Sequence, residues 1–185
     1  MIASIGLSLS LLAAAPAHGV EPAPVALQTI ERLDLPRYLG TWHEIARTPN
    51  WFQKKCAADT RADYSLNPSG TVRVVNRCRT HDGELSEAIG EARRVGGPDS
   101  ARLEVRFAPR WLSWLPLVWG DYWVVDLDPD YQLVAVSEPR REYLWVLARQ
   151  PQVDPKAYEA LLGRLRQQGF DLSRLQRSTQ SSALP

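Results

Sequence analysis

Between Gly40 and Arg149 the chain never runs far before proline or glycine interrupts it. Eight short runs result, at 42–48, 58–66, 71–78, 85–95, 101–107, 120–127, 132–137 and 143–149. The breaks are Pro49, Asn67-Pro68-Ser69-Gly70, Gly96-Gly97-Pro98, Pro109 with Pro116, Asp128-Pro129-Asp130, and Pro139. No run contains proline, which cannot donate to a strand ladder. Several runs alternate cleanly: Thr60, Ala62 and Tyr64 interleave with Asp59, Arg61 and Asp63, and Leu103, Val105 and Phe107 with Arg102, Glu104 and Arg106. A period of two with one polar face predicts antiparallel strands half exposed to water.

Eight such strands can close on themselves around side chains or one small ligand, and closure removes the edges through which sheets aggregate. The expected fold is therefore all-β: an eight-stranded antiparallel up-and-down barrel, with a two-sheet sandwich as the alternative. One C-terminal helix follows. Asp154 suits its N-cap, Pro155 its first position and Gly169 its end, while Tyr158, Leu161, Leu162 and Leu165 form a single apolar stripe. A helix with one stripe needs an apolar outer wall. The runs Tyr122-Trp123-Val124-Val125 and Tyr143-Leu144-Trp145-Val146-Leu147 are apolar on both faces and supply it.

The 185 residues carry 22 Lys and Arg against 21 Asp and Glu, a net charge of +1. That balance excludes a dedicated nucleic-acid binder, which needs a plain basic excess. Residues 1–17 hold no charged side chain and end in Pro16 and small residues, as a signal peptide does; the apolar stretch, about 15 residues, falls short of the roughly 20 that span a bilayer. The chain thus divides into a signal peptide (1–19), an extension (20–34), a barrel domain (35–176) and a flexible tail (177–185). Export to the periplasm or cell envelope is expected, and no cysteine before Cys56 is placed to carry a lipid anchor. In an oxidising compartment Cys56 and Cys78 read as a disulfide. A zinc site combining them with His81 or His43 is the alternative, although no second closely spaced pair accompanies Cys78 and His81.

Leu39-Gly40-Thr41-Trp42-His43-Glu44 carries a Gly-x-Trp signature, followed by Pro49-Asn50-Trp51-Phe52-Gln53. Gly120-Asp121-Tyr122-Trp123-Val124, then Leu127-Asp128-Pro129-Asp130-Tyr131, and finally Tyr143-Leu144-Trp145-Val146-Leu147-Ala148-Arg149 occur in order after it. Together these resemble the lipocalins, in particular the bacterial group related to apolipoprotein D, over about 35–175. The resemblance implies a ligand-holding calyx associated with the outer membrane. Gly40, Trp42 and Arg149 would form the barrel base, with the Arg149 guanidinium over the Trp42 indole, a contact worth about 0.5–2 kcal/mol.

If Arg149 faces inward, parity places Leu147, Trp145 and Tyr143 inward as well. Glu44 and Ala46 follow Trp42; Thr60, Ala62, Tyr64, Val72, Val74, Leu103, Val105 and Phe107 add further lining. Tyr122, Val124 and Asp126 are assigned inward by the resemblance, and Ala135 is counted with the ligand-binding set. Such an interior suits a fatty acid, a lysophospholipid or a similar lipid, unless the barrel is plugged by its own side chains and serves as an interaction protein. No cofactor or metal is implied. His43 and His81 fit no catalytic motif, so an enzyme is not expected. Trp42 sits at the base, so alternate loops gather Trp51, Phe52, Lys54, Lys55, Arg110, Trp111, Trp114, Leu115, Leu117, Arg140 and Arg141 at the open end. Amphipathic aromatics beside cations suit an anionic lipid surface; a lid or a weak homodimer patch is the alternative use.

Overall fold

The computed structural model describes residues 26–181, with the Arg110 side chain omitted. The expected signal peptide, residues 20–25 of the extension and residues 182–185 of the tail lie outside the described residues. A short helix α1 (Leu35–Tyr38) precedes β1 (Gly40–Arg47), β2 (Cys56–Leu66), β3 (Val72–Thr80), β4 (Leu85–Arg94), β5 (Arg102–Arg106), β6 (Gly120–Leu127), β7 (Leu133–Ser137) and β8 (Leu144–Ala148). Helix α2 (Pro155–Gln167) and a two-residue strand β9 (Gln176–Arg177) complete the chain. Consecutive strands pair from β2 to β8, and β1 pairs with both β8 and β2, so the sheet closes into a barrel and the sandwich alternative falls away.

Two apolar clusters lie on opposite sides of the wall. Tyr38, Trp42, Ala62, Tyr64, Val74, Leu103, Val124, Val134, Val136 and Leu147 fill the lower interior. Ile45, Val125, Val146 and their neighbours pack outside, beneath the α2 stripe of Tyr158, Leu161, Leu162 and Leu165. Asp154 caps α2 by accepting from the Lys156 amide, and Gly169 ends it at a φ of 82°.

Three inward assignments are overturned, two of them by bulges. One interrupts β1 between Glu44 and Ala46, the other β6 between Val124 and Asp126. An extra residue in one strand breaks the alternation. Ala46 therefore joins Ile45 under the helix, and Asp126 follows Val125 outward, where its carboxylate accepts two hydrogen bonds from Arg164 of α2 at 2.7 and 2.8 Å. Ala135, opposite Asp126, also lies on the helix side, and Val134 and Val136 take the interior instead.

The tail departs further from expectation. Residues 176–181 are not loose: β9 pairs with Ala46 and Arg47 where β2 leaves β1. The Gln180 amide donates to the carbonyls of both Glu44 and Thr60 at 2.8 Å, and the Asp59 amide donates to the Thr179 carbonyl at 2.9 Å. The tail thus laces a gap in the wall, satisfying backbone groups that an open seam would leave unpaired.

Two irregularities in β2, between Cys56 and Arg61, slide the hairpin register and bring the Cys56 and Cys78 Cα atoms to 5.5 Å. The two are disulfide-bonded, which excludes the zinc alternative at these residues. With a sequence separation of 22, loss of the bridge costs about 3 kcal/mol in the chain-entropy model. A Cys56→Ser/Cys78→Ser variant is expected to show that drop in denaturant unfolding, and thiol labelling of the folded, non-reduced protein should find no free cysteine.

Candidate functional site

The barrel has a sealed end and an open one. At the sealed end the Arg149 guanidinium lies 4.0 Å over the Trp42 ring. Its nitrogens donate to the carbonyls of Tyr131 at 3.2 Å, Thr41 at 3.0 Å and Arg37 at 2.6 Å. A Cβ on Gly40 would stand 3.2 Å from this guanidinium, and Gly40 has a φ of 96°, so only glycine fits there without strain. The Trp42 indole N–H donates to the Tyr38 carbonyl at 2.8 Å, which ties α1 into the floor.

Above the floor three phenols converge. The Tyr122 hydroxyl lies 2.6 Å from that of Tyr38 and 3.0 Å from that of Tyr64. Tyr38 and Tyr64 are buried and their rings stack at 5.7 Å, whereas Tyr122 is half-buried. Burial weakens all three as acids: the Tyr64 pKa is pushed up to about 12, and those of Tyr38 and Tyr122 well above the ordinary range. Tyr64 and Tyr122 were expected in the lining. Tyr38, on a four-residue helix before the first strand, gives no periodic signal.

Toward the open end the inward residues are only partly covered. Val105, Tyr122, Tyr143 and Trp145 are half-buried, and the Phe107 ring, exposed, lies against Gly90, where a Cβ would meet it at 2.8 Å. Phe52 packs edge-on to Tyr143 and tilted over Trp145 at the rim. Below them the Gln53 amide acts as a bridge. It donates to Glu44 at 2.8 Å, and its oxygen accepts from Trp145 at 2.9 Å and Asn50 at 2.6 Å. Glu44 is 2% exposed. Besides Gln53 it accepts from Arg47 and from the Ser178 hydroxyl of the tail, so its carboxylate is held within the wall. Gln53 ends the Pro49-Asn50-Trp51-Phe52-Gln53 segment that carries the resemblance, but it sits in a loop without a period and the sequence gives it no role of its own.

The loops at the open end are apolar and exposed. Trp51, Trp111 and Trp114 are 73–74% exposed and Leu117 is 98% exposed. Lys54, Lys55 and Arg140 are exposed too, Arg140 within reach of Glu138 and Glu142. Arg141 does not belong to this rim. Its guanidinium donates to the Gln168 carbonyl at the end of α2 and lies 5.8 Å from the Phe170 ring centre. Outside the barrel, a groove of about 590 Å³ runs between α2 and the wall, crossed by the Asp126–Arg164 pair. It lies on the opposite side of the wall from the tyrosines. Among the described residues no cluster of His, Cys, Asp and Glu is arranged to hold a metal ion.

The phenols make the protein alkali-sensitive in a defined window. An unfolded tyrosine titrates near 10, whereas folded Tyr64 holds its proton to about 12. Between those values the unfolded chain binds fewer protons, so stability, intact below pH 10, falls as pH rises toward 12. Denaturant midpoints measured across that window should decline, and a Tyr38→Phe/Tyr64→Phe/Tyr122→Phe variant should flatten the decline.

A family model described as lipocalin-like domain matches residues 33–180. Temperature-induced lipocalin-1 of Arabidopsis thaliana is 39% identical over 161 residues, covering 86% of each chain. Outer membrane lipoprotein Blc of Escherichia coli (strain K12) is 34% identical over 152 residues, covering 82% of this chain and 81% of its own. Among solved structures, insecticyanin from the tobacco hornworm Manduca sexta superimposes with a TM-score of 0.65 at 17% identity, over 85% of this chain and 86% of that one, a likeness of fold alone.

Proposed function

The chain belongs to the lipocalin-like family, and on that premise we propose that it carries or stores an elongated apolar ligand (a fatty acid, a lysophospholipid or a similar lipid) inside the barrel, without catalysing its conversion. The supporting observation is the asymmetry of the barrel. One end is stoppered by Arg149 on Trp42, while at the other the inward faces of Phe107, Tyr143 and Trp145 stay reachable. Apolar walls exclude water from an acyl chain, and a few fixed polar groups orient it. A plugged barrel serving only as an interaction scaffold is the competing reading.

We place this work in the cell envelope. The charge-free apolar opening of the chain supports export, and the Escherichia coli relative is named as an outer membrane lipoprotein. The exposed tryptophans and lysines of the mouth then have a use as a lipid-docking rim. Trp51, Trp111 and Trp114 would sit at the headgroup level with Lys54 and Lys55 beside them.

Two experiments test these readings. Titration with a fluorescent fatty acid should saturate and quench tryptophan emission. Trp145→Asp should abolish binding while circular dichroism still reports a folded barrel; unchanged affinity would remove Trp145 from the cavity, and no binding by the parent would favour the plugged barrel. In co-sedimentation with anionic vesicles, Trp111→Ser/Trp114→Ser should lower the bound fraction, and neutralising Lys54 and Lys55 should weaken binding roughly thirtyfold. Parent-like binding by the tryptophan variant would make that loop a lid or a dimer patch instead.

A further inference from the structure

The three tyrosines at the floor leave one hydroxyl proton unused. Three O–H groups share two contacts, Tyr38 with Tyr122 and Tyr64 with Tyr122. Each contact uses one proton, and among the described residues no further acceptor takes the third. Tyr122 is at the centre of both contacts and is the half-buried member of the trio. Both contacts can be used in three ways: Tyr122 accepts from both neighbours, or accepts from one and donates to the other. Each way leaves one phenolic proton over, in a trio whose central member, Tyr122, is half-buried while its neighbours are buried. A buried donor without a partner is costly, so this floor is built to meet an acceptor.

The acceptor has to be uncharged. The nearest cation, Arg149, lies beyond the Trp42 ring and is engaged by three backbone carbonyls. The deep interior around the phenols is otherwise lined by Ala62, Val74, Leu103, Val124 and Val136. An anion taken there would lose more in hydration than Arg149 returns, since for Tyr38 and Tyr64 the cost of burial outweighs the pull of that cation. Burial pushes the pKa of all three phenols up, the same penalty on negative charge. Cations stand at the other end instead, with Lys54 and Lys55 exposed at the mouth.

We propose that Tyr38, Tyr64 and Tyr122 form an oxygen subsite at the cavity floor, which takes the neutral oxygen-bearing far end of an elongated apolar ligand, a hydroxyl, ketone or ester carbonyl, while any charged end stays at the mouth. The subsite rests on the carrier reading above and narrows its ligand class. It also predicts an inversion. In a wholly apolar cavity a hydroxyl at the end of an acyl tail weakens binding, because it must leave water without a partner.

The test compares dodecanoate with 12-hydroxydodecanoate, and hexadecanoate with 16-hydroxyhexadecanoate, at pH 8 by calorimetry on the full chain. The ω-hydroxy member of at least one pair should bind about 3- to 10-fold tighter than its parent acid. The Tyr38→Phe/Tyr64→Phe/Tyr122→Phe variant, which replaces the whole polar network by rings of nearly the same shape, should bind both acids with the preference reversed. Equal or weaker binding of both hydroxylated acids by the parent protein overturns the subsite and leaves the carrier reading intact, as does a preference that survives in the triple variant. If no acid of either kind binds, the carrier reading itself fails. Should the triple variant not fold, Tyr122→Leu, which removes the central hydroxyl alone, must reduce the preference, and a preference unchanged there also overturns the proposal.

Discussion

Arg149 over Trp42 is the contact on which the barrel's asymmetry depends. Trp42 belongs to the first strand of the barrel, and Arg149 directly follows the last. The guanidinium also reaches carbonyls of α1, of the start of β1 and of the β6–β7 turn. A flat delocalised cation can stack on an indole and donate in its own plane at once, which a lysine ammonium cannot do. One side chain therefore closes the ring of strands, fastens the floor helix and shields the interior from solvent at one end. The opposite end has no comparable stopper, and the exposure of Phe107 and the half-burial of Trp145 follow from that.

A wall with an interior on one side and a helix on the other cannot keep a strict period of two throughout. β4 and β5 keep it, because one of their faces meets water. β1 and β6 lie where α2 packs, and each carries a bulge that turns two successive residues outward. Asp126 shows the consequence. A polar residue at an inward position of the simple alternation is instead carried out to Arg164, where a bidentate pair neutralises it. The strand positions themselves were legible, because proline and glycine mark the breaks between them. The bulges were not, because a strand apolar on both faces carries no phase from which a slip could be noticed. Ala46 and Asp126 were assigned wrongly for that reason, and Ala135 because its strand is buried on both faces and carries no polar phase.

The remaining surprises share a different cause. Tyr38, Gln53 and Ser178 reach the site from short or irregular segments, where neither 3.6 nor 2 is available as a period. The tail looked unstructured because it is polar and rich in serine. In place, those same small polar side chains serve Glu44 and Asp59, and the backbone fills the opening between β1 and β2. Arg141 likewise looked like a mouth cation by position, yet the free carbonyls at the end of α2 compete for it. Local composition describes what a segment can offer; which partner takes the offer depends on what the rest of the fold leaves unsatisfied.

Read from floor to mouth, the interior changes from neutral donors, through an aliphatic belt, to a rim where charge is tolerated. Each layer follows from distance to water. At the floor, Trp42 lies between the interior and the Arg149 guanidinium, and the polar groups gathered there are phenols, which burial holds in the neutral form. At the rim, the Glu44 side chain, 2% exposed, accepts from Arg47, Gln53 and Ser178. Those donors come from β1, the first loop and the tail, three separate segments that converge at the rim. On the proposed carrier reading, a molecule with one charged and one uncharged end would meet very different desolvation costs in its two orientations, and the polarity of the wall, rather than any single contact, would decide which way it enters.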